Sequence, residues 1–143
     1  MIVYRITNEK FKSDISGNGA ALYGSRWNSK GNPLLYTSQF ISLSILESLV
    51  HLKKKEIPAD QYLLHIELPD DKEIAEISYK KIKKNWHEET EYTQWLGDQF
   101  LQNNQSLILK VPSAIVPQES KFLLNPLHSR FKKVKIISSE LLK

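Results

Sequence analysis

Apolar residues in this chain come in short bursts, and turn-forming residues interrupt nearly every one of them. Residues 2–6, 34–37, 62–68, 74–77, 106–111, 121–124 and 133–137 each have the length and composition of a strand. Several alternate apolar and polar side chains with a period of two. Within 62–68, Leu64, Ile66 and Leu68 share one face, and His65 and Glu67 the other. Only residues 38–55 and 90–102 carry helical spacing. Strands that outnumber helices and stay short predict an α+β fold, with a mixed or antiparallel short-stranded sheet and a few helices. At 143 residues, with no internal repeat, low-complexity tract or linker, the chain is expected to form a single domain spanning 1–143.

Two segments are unusual. Residues 13–32 hold four of the five glycines (Gly17, Gly19, Gly24, Gly31) among several Ser and Asn. This composition predicts a long loop, and loops of that length inside a domain tend to be functional. In the helix expected over 38–55, Leu43, Ile45, Leu46, Leu49, Val50 and Leu52 sweep one half of the wheel, with Ser44, Ser48 and His51 on the other. Glu47 falls at the seam beside Leu43 and Val50, neither deep in the interior nor free in solvent. In the second helix, Tyr92, Trp95, Leu96 and Phe100 form the apolar set, while residues 80–85 are polar and basic and fit no element.

Several function classes drop out. There is no cysteine, so disulfides, thiol nucleophiles and thiolate metal sites are excluded. No glycine-rich phosphate loop opens a helix, no G-x-S-x-G occurs, and the four histidines lack metal-ligand spacing. No metal is expected. Without an 18-residue apolar run or a secretory leader, a cytoplasmic location is expected. The net charge of +4 is unevenly spread: residues 1–59 carry 8 basic and 4 acidic side chains, and 60–98 carry 5 and 10. Such a layout suits either an anionic ligand or scattered solvated lysines. Only three of the 20 basic residues are arginine, so Arg5, Arg26 and Arg130 are candidates for positions that need a planar, bidentate fork.

What remains is a set of polar residues at element boundaries: Arg5 at the first strand, Arg26 in the glycine-rich segment, Tyr36 and Ser38 after it, Glu47 on the helix and Ser113 after Pro112. Each has a structural alternative. Arg5 could pair with a surface acid, Arg26 could stack on Trp27, Tyr36 could be core, Glu47 an amphipathic edge and Ser113 a turn residue.

Taken with their neighbours, these residues resemble a known family. Tyr4-Arg5, Gly19-Ala20, Gly24-Ser25-Arg26-Trp27-Asn28, Gly31-Asn32-Pro33 and Leu35-Tyr36-Thr37-Ser38 are followed in order by Leu46-Glu47-Ser48-Leu49-Val50-His51-Leu52, Gln94-Trp95-Leu96-Gly97-Asp98, Val111-Pro112-Ser113-Ala114 and Asn125-Pro126. The series is similar to the RES domain, named for Arg, Glu and Ser, the toxin half of bacterial toxin–antitoxin pairs. Many members have Gly-Gly-Arg-Trp where this chain has Gly24-Ser25-Arg26-Trp27, a change that leaves the arginine in place.

The resemblance implies a fold similar to ADP-ribosyltransferases, NAD as substrate with no separate cofactor, and an Xre-like helix-turn-helix antitoxin as partner. It implies Glu47, Arg26 and Ser113 as catalytic residues, and Arg5, Arg26, Tyr36, Ser38 and Asn125 as NAD-binding residues. The chemistry is coherent. Two arginine forks suit a pyrophosphate, nicotinamide departs neutral without a general acid, and one carboxylate can stabilise an oxocarbenium-like ribose. Tyr36 is expected to stack on nicotinamide and Ser113 to hydrogen-bond ribose or carboxamide. The leading expectation is an NAD-cleaving toxin using water or phosphate. Its rivals are ADP-ribosyl transfer to a protein, a basic RNA-binding or RNA-cleaving toxin, and a non-catalytic interaction module. Direct nucleic-acid binding is not expected, because residues 121–135 offer no aromatic platform.

Overall fold

Strand β6 (Ser120–Leu124) shows how the alternation in the sequence builds the domain. Phe122 and Leu124 enter one buried cluster with Val3, Leu35, Leu64 and Ile108, while Leu123 enters another with Trp27, Trp86, Leu109 and Val111. A period of two places neighbours on opposite faces, so a sheet buried on both sides reads as a continuous apolar run. The computed structural model describes residues 1–53, 58–70 and 73–142. Among these the strands are β1 (Ile2–Asn8), β2 (Leu35–Ser38), β3 (Gln61–Glu67), β4 (Ala75–Glu76), β5 (Ile108–Pro112), β6 and β7 (Lys135–Leu141). They form one sheet in the order β4-β5-β6-β2-β1-β3-β7. The β4–β5 pair is parallel and the others are antiparallel, which makes the sheet mixed and the fold α+β, as the sequence predicts. No helix among the described residues is long and apolar enough to cross a membrane.

The predicted loop over 13–32 is not wholly a loop. It contains α1 (Asn18–Tyr23), bounded by Gly17 at φ 75° and Gly24 at φ 72°. Ala20, Ala21, Leu22 and Tyr23 are adequate helix formers, and the flanking glycines supply the left-handed backbone that lets the chain enter and leave in a single turn. A side chain at Gly17 would also meet the backbone of Leu34 at 2.8 Å.

The predicted first helix is α2 (Ile41–Leu52), later in its start than expected because Ser38 closes β2. It ends at Lys53 in the left-handed region, and residues 54–55 of the prediction lie outside the described residues. Its orientation matches the wheel prediction only in part. Leu43 is buried as predicted, but so is Ser44 from the polar half, whereas Leu46 and Val50 are 40% and 50% exposed. Ser44, Glu47, Ser48 and His51 border a cleft together with Val50 and Leu52, so part of the inward surface is polar.

The second predicted helix is α3 (Thr90–Asn103), on which Phe100 is buried but Trp95 is exposed. The last strand begins at Lys135 rather than 133, because Ser129–Lys133 forms a 3-10 turn. It runs to Leu141 through Ser138, Ser139 and Glu140, polar residues that suit an edge strand. Residues 80–85 form turns leading into Trp86, and Lys83 there pairs with Glu89 at 2.8 Å.

Candidate active site

A cleft of about 590 Å³ opens between α2, the α1 segment and the central strands β1, β2 and β6. Its charged lining consists of Arg5, Arg26, Lys121 and Glu47, three cations against one carboxylate, with His51 alongside. Such an excess of positive charge in a walled cleft favours an anionic ligand.

Glu47 sits one turn beyond Ser44 on the inward stripe of α2, and its side chain is 17% exposed. Its Oε2 accepts a hydrogen bond from Ser113 Oγ at 2.8 Å. Its Oε1 lies 2.9 Å from Lys121 Nζ and accepts more weakly from Ser38 Oγ at 3.4 Å. The carboxylate is therefore gripped at both oxygens while still facing the cleft.

Ser113 itself is fully buried and does not line the cleft. Besides donating to Glu47, its Oγ accepts from the backbone N–H groups of Ile115 and Val116, each at 3.1 Å. These bonds occupy the hydroxyl on the protein side of the carboxylate. Ser113 positions the carboxylate.

The two arginines approach from different elements. Arg5, on β1, donates from Nη1 to the carbonyl of Tyr36 at 3.0 Å, and its buried Nε has no hydrogen-bond partner among the described residues. Burial lowers its pKa from the ordinary arginine value, an effect opposed by the nearby negative charge of Asp14. Asp14 in turn is held below the usual carboxylate range, chiefly by the hydrogen bonds it accepts from Ser16. Arg26 donates from Nη1 to the carbonyl of His87 at 2.8 Å and lies 5.8 Å over the ring of Trp86. The stacking expected on Trp27 is thus made to Trp86, while Trp27 is buried and packs against Trp86 at 5.7 Å.

Tyr36 combines the structural and functional alternatives. Its ring lines the cleft, but its hydroxyl donates to Asn28 Oδ1 at 2.6 Å and accepts from the Trp27 N–H at 2.9 Å. Burial pushes its pKa above the ordinary tyrosine value, so the phenol stays neutral and remains a donor. Asn28 donates onward to the carbonyls of Ala20 and Asn32, at 2.9 and 3.0 Å, tying β2 to the α1 segment. Tyr36→Phe leaves the Trp27 N–H and Asn28 Oδ1 without their partner, and should cost about 1–3 kcal/mol. Urea denaturation of the two proteins measures this; a loss below about 0.5 kcal/mol would show that the hydroxyl does not organise the loop.

Asn125 does not join the others. Its amide donates to Asn104 Oδ1 at 2.8 Å, and its Oδ1 accepts from the N–H of Leu127 at 3.0 Å. It fastens the left-handed end of α3 to the turn after β6, beside a separate cavity of about 280 Å³. Asn125 therefore lies outside the cleft that holds Arg5 and Arg26. In contrast, Arg5, Arg26, Tyr36, Ser38 and Glu47 all line one cleft.

Lys121 is the cleft residue that the sequence reading missed. The signal was present but weak: a lysine two positions from Leu123 in an apolar strand must point to the same face as Leu123. The aromatic partner said to be lacking over 121–135 comes from β2, since Lys121 Nζ lies 5.3 Å over the Tyr36 ring.

A seven-stranded α+β domain with one carboxylate in a cationic cleft defines the class, and comparison with known proteins defines the family. The RES domain family matches residues 2–142, and the chain belongs to it. It is similar to the protein named Toxin Res from Photorhabdus laumondii, with 38% identity over 93% of this chain and 86% of that protein. It also resembles the Prs ADP-ribosylating toxin of a Sphingobium species, with 36% identity over 85% of this chain and 78% of the relative. Among solved structures, the fold matches a chain of the Mycobacterium tuberculosis MbcT–MbcA toxin–antitoxin complex at a TM-score of 0.80. That match has 16% identity and covers 99% of this chain and 84% of the other.

Proposed function

We propose that this chain is the toxin of a toxin–antitoxin pair, and that its cleft binds NAD and cleaves the bond between nicotinamide and ribose. The observation that carries the proposal is the Glu47 carboxylate, held by Ser113 and Lys121 on the wall of a cleft that also contains Arg5 and Arg26.

The diphosphate of NAD suits the arginines: Arg5 has an Nε–H without a hydrogen-bond partner among the described residues, and Arg26 uses one Nη on His87. As the C–N bond breaks, its electron pair goes to the nicotinamide nitrogen, which leaves neutral. Positive charge grows on the ribose, and a fixed carboxylate in a sheltered cleft stabilises that charge more in the transition state than in the ground state. Water or phosphate then captures the sugar from the opposite side, and water releases its extra proton to solvent.

Purified protein incubated with NAD should release free nicotinamide in step with NAD loss, as followed by chromatography. An intact NAD pool after prolonged incubation would overturn the proposal. A second reading, transfer of ADP-ribose to a protein, is favoured by the likeness to the Sphingobium ADP-ribosylating toxin. Label from radioactive NAD appearing on a protein band, rather than as free ADP-ribose, would select it. A helix-turn-helix antitoxin that places acidic groups over Arg5 and Arg26 is the expected partner.

A further inference from the structure

Lys121 occupies a place for which the proposed reaction has another use. Its ammonium is 2.9 Å from Glu47 Oε1 and 5.3 Å from the centroid of the Tyr36 ring, so a carboxylate and an aromatic face hold one cation. Backbone pairing builds this slot: Lys121 stands opposite Ser38 across β2 and β6, and Tyr36 is two residues along on the same face. A carboxylate beside an aromatic face is a recognition element for organic cations. Its walls are fixed, Tyr36 by Trp27 and Asn28 and Glu47 by Ser113. The lysine is the movable part. It is 19% exposed and is carried on a four-carbon stem that can swing its charge into water.

We propose that the slot between Tyr36 and Glu47 is a subsite for a cationic ring, filled in the free protein by Lys121, which the incoming ring must displace. The identity of the ring rests on the function proposed above: NAD carries its fixed positive charge on nicotinamide. Lys121 then acts as a built-in competitor and selects for charge. A cationic ring recovers the contacts that the ammonium gives up, whereas a neutral ring does not. Once the bond breaks and nicotinamide becomes neutral, Lys121 re-enters the slot and drives the product out.

The test compares 1-methylnicotinamide, a cation, with neutral nicotinamide, by calorimetric titration of the wild-type protein and Lys121→Met, which keeps the stem and removes the charge. Lys121→Met should bind the cation about tenfold more tightly than wild type and nicotinamide within about twofold of it. Unchanged or weaker binding of the cation, or an equal change for both ligands, would overturn the proposal. A second measurement needs no variant. Acylation of Lys121 in the wild-type protein, read by peptide mass spectrometry, should accelerate when 1-methylnicotinamide is bound; protection would refute displacement. The two proposals fail separately. A protein that shows this cation selectivity but leaves NAD intact keeps the slot and loses the reaction, and the converse result does the reverse.

Discussion

Glu47→Gln should reduce nicotinamide release from NAD by about 10²–10³-fold, the usual cost of losing one preorganised charge or donor at a transition state. The change is nearly isosteric. The amide oxygen can still accept from Ser113 Oγ, so the helix and the turn after β5 keep their contact. What disappears is the negative charge. Lys121 then loses its carboxylate partner, and the charge that would stabilise the developing positive ribose is gone. Stability should fall by less than about 1 kcal/mol, because a partly exposed ammonium regains water. Ser113→Ala separates position from charge: the carboxylate remains but loses its firmest support, and the rate should fall by about tenfold, in kcat rather than KM. Steady-state release assays with a thermal unfolding control read both variants. A Glu47→Gln protein with more than about a tenth of wild-type activity would remove the carboxylate from the mechanism.

Gly97→Ala should be the most damaging small substitution in the chain. A methyl group at this position of α3 would lie 1.6 Å from the carbonyl oxygen of Trp27 and 2.7 Å from its carbon. Both partners are backbone, so no side-chain rotation relieves the overlap and α3 must move away. That motion would break a series of bonds: Thr93 Oγ1 to the Arg26 carbonyl, Gln94 Nε2 to the Ser25 carbonyl, and those of Asp98 to Ser29 and Asn32. The expected loss is about 3–5 kcal/mol, enough to unfold many domains of this size, and urea denaturation would measure it. Gly19→Ala provides the contrast. Gly19 is helical and has nothing among the described residues within 4 Å of the added carbon, so stability should rise by about 0.4–1 kcal/mol. If Gly97→Ala were as stable as wild type, the close contact between α3 and the Trp27 backbone would be wrong.

The strands were legible in the sequence because two-sided burial leaves plain apolar runs, as at β5 and β6. Helix α2 was legible as a helix but only partly in its orientation. A wheel ranks faces by hydrophobicity, and it places Leu43 correctly in the interior, but it cannot foresee that Ser44 and Glu47 turn toward a cleft while Leu46 and Val50 remain exposed. Single-residue chemistry pointed to Arg5, Arg26, Tyr36, Ser38, Glu47 and Ser113, and resemblance added Asn125. Only their arrangement in space distinguishes Ser113, which holds the carboxylate, from Asn125, which ties off α3. Lys121 stayed hidden because its meaning depends on a partner more than 70 residues away in the chain, at Glu47.

The sheet order has a consequence for the cell that makes this protein. Strand β2, which carries Tyr36 and Ser38, lies between β1 and β6, and β6 is synthesised more than 80 residues after β2. Until Ser120–Leu124 has left the ribosome, β2 has an open edge, and neither Lys121 nor the buried hydroxyl beside Glu47 is anchored. A growing chain therefore carries no assembled cleft until β6 has emerged, and only from that moment does an antidote have a target.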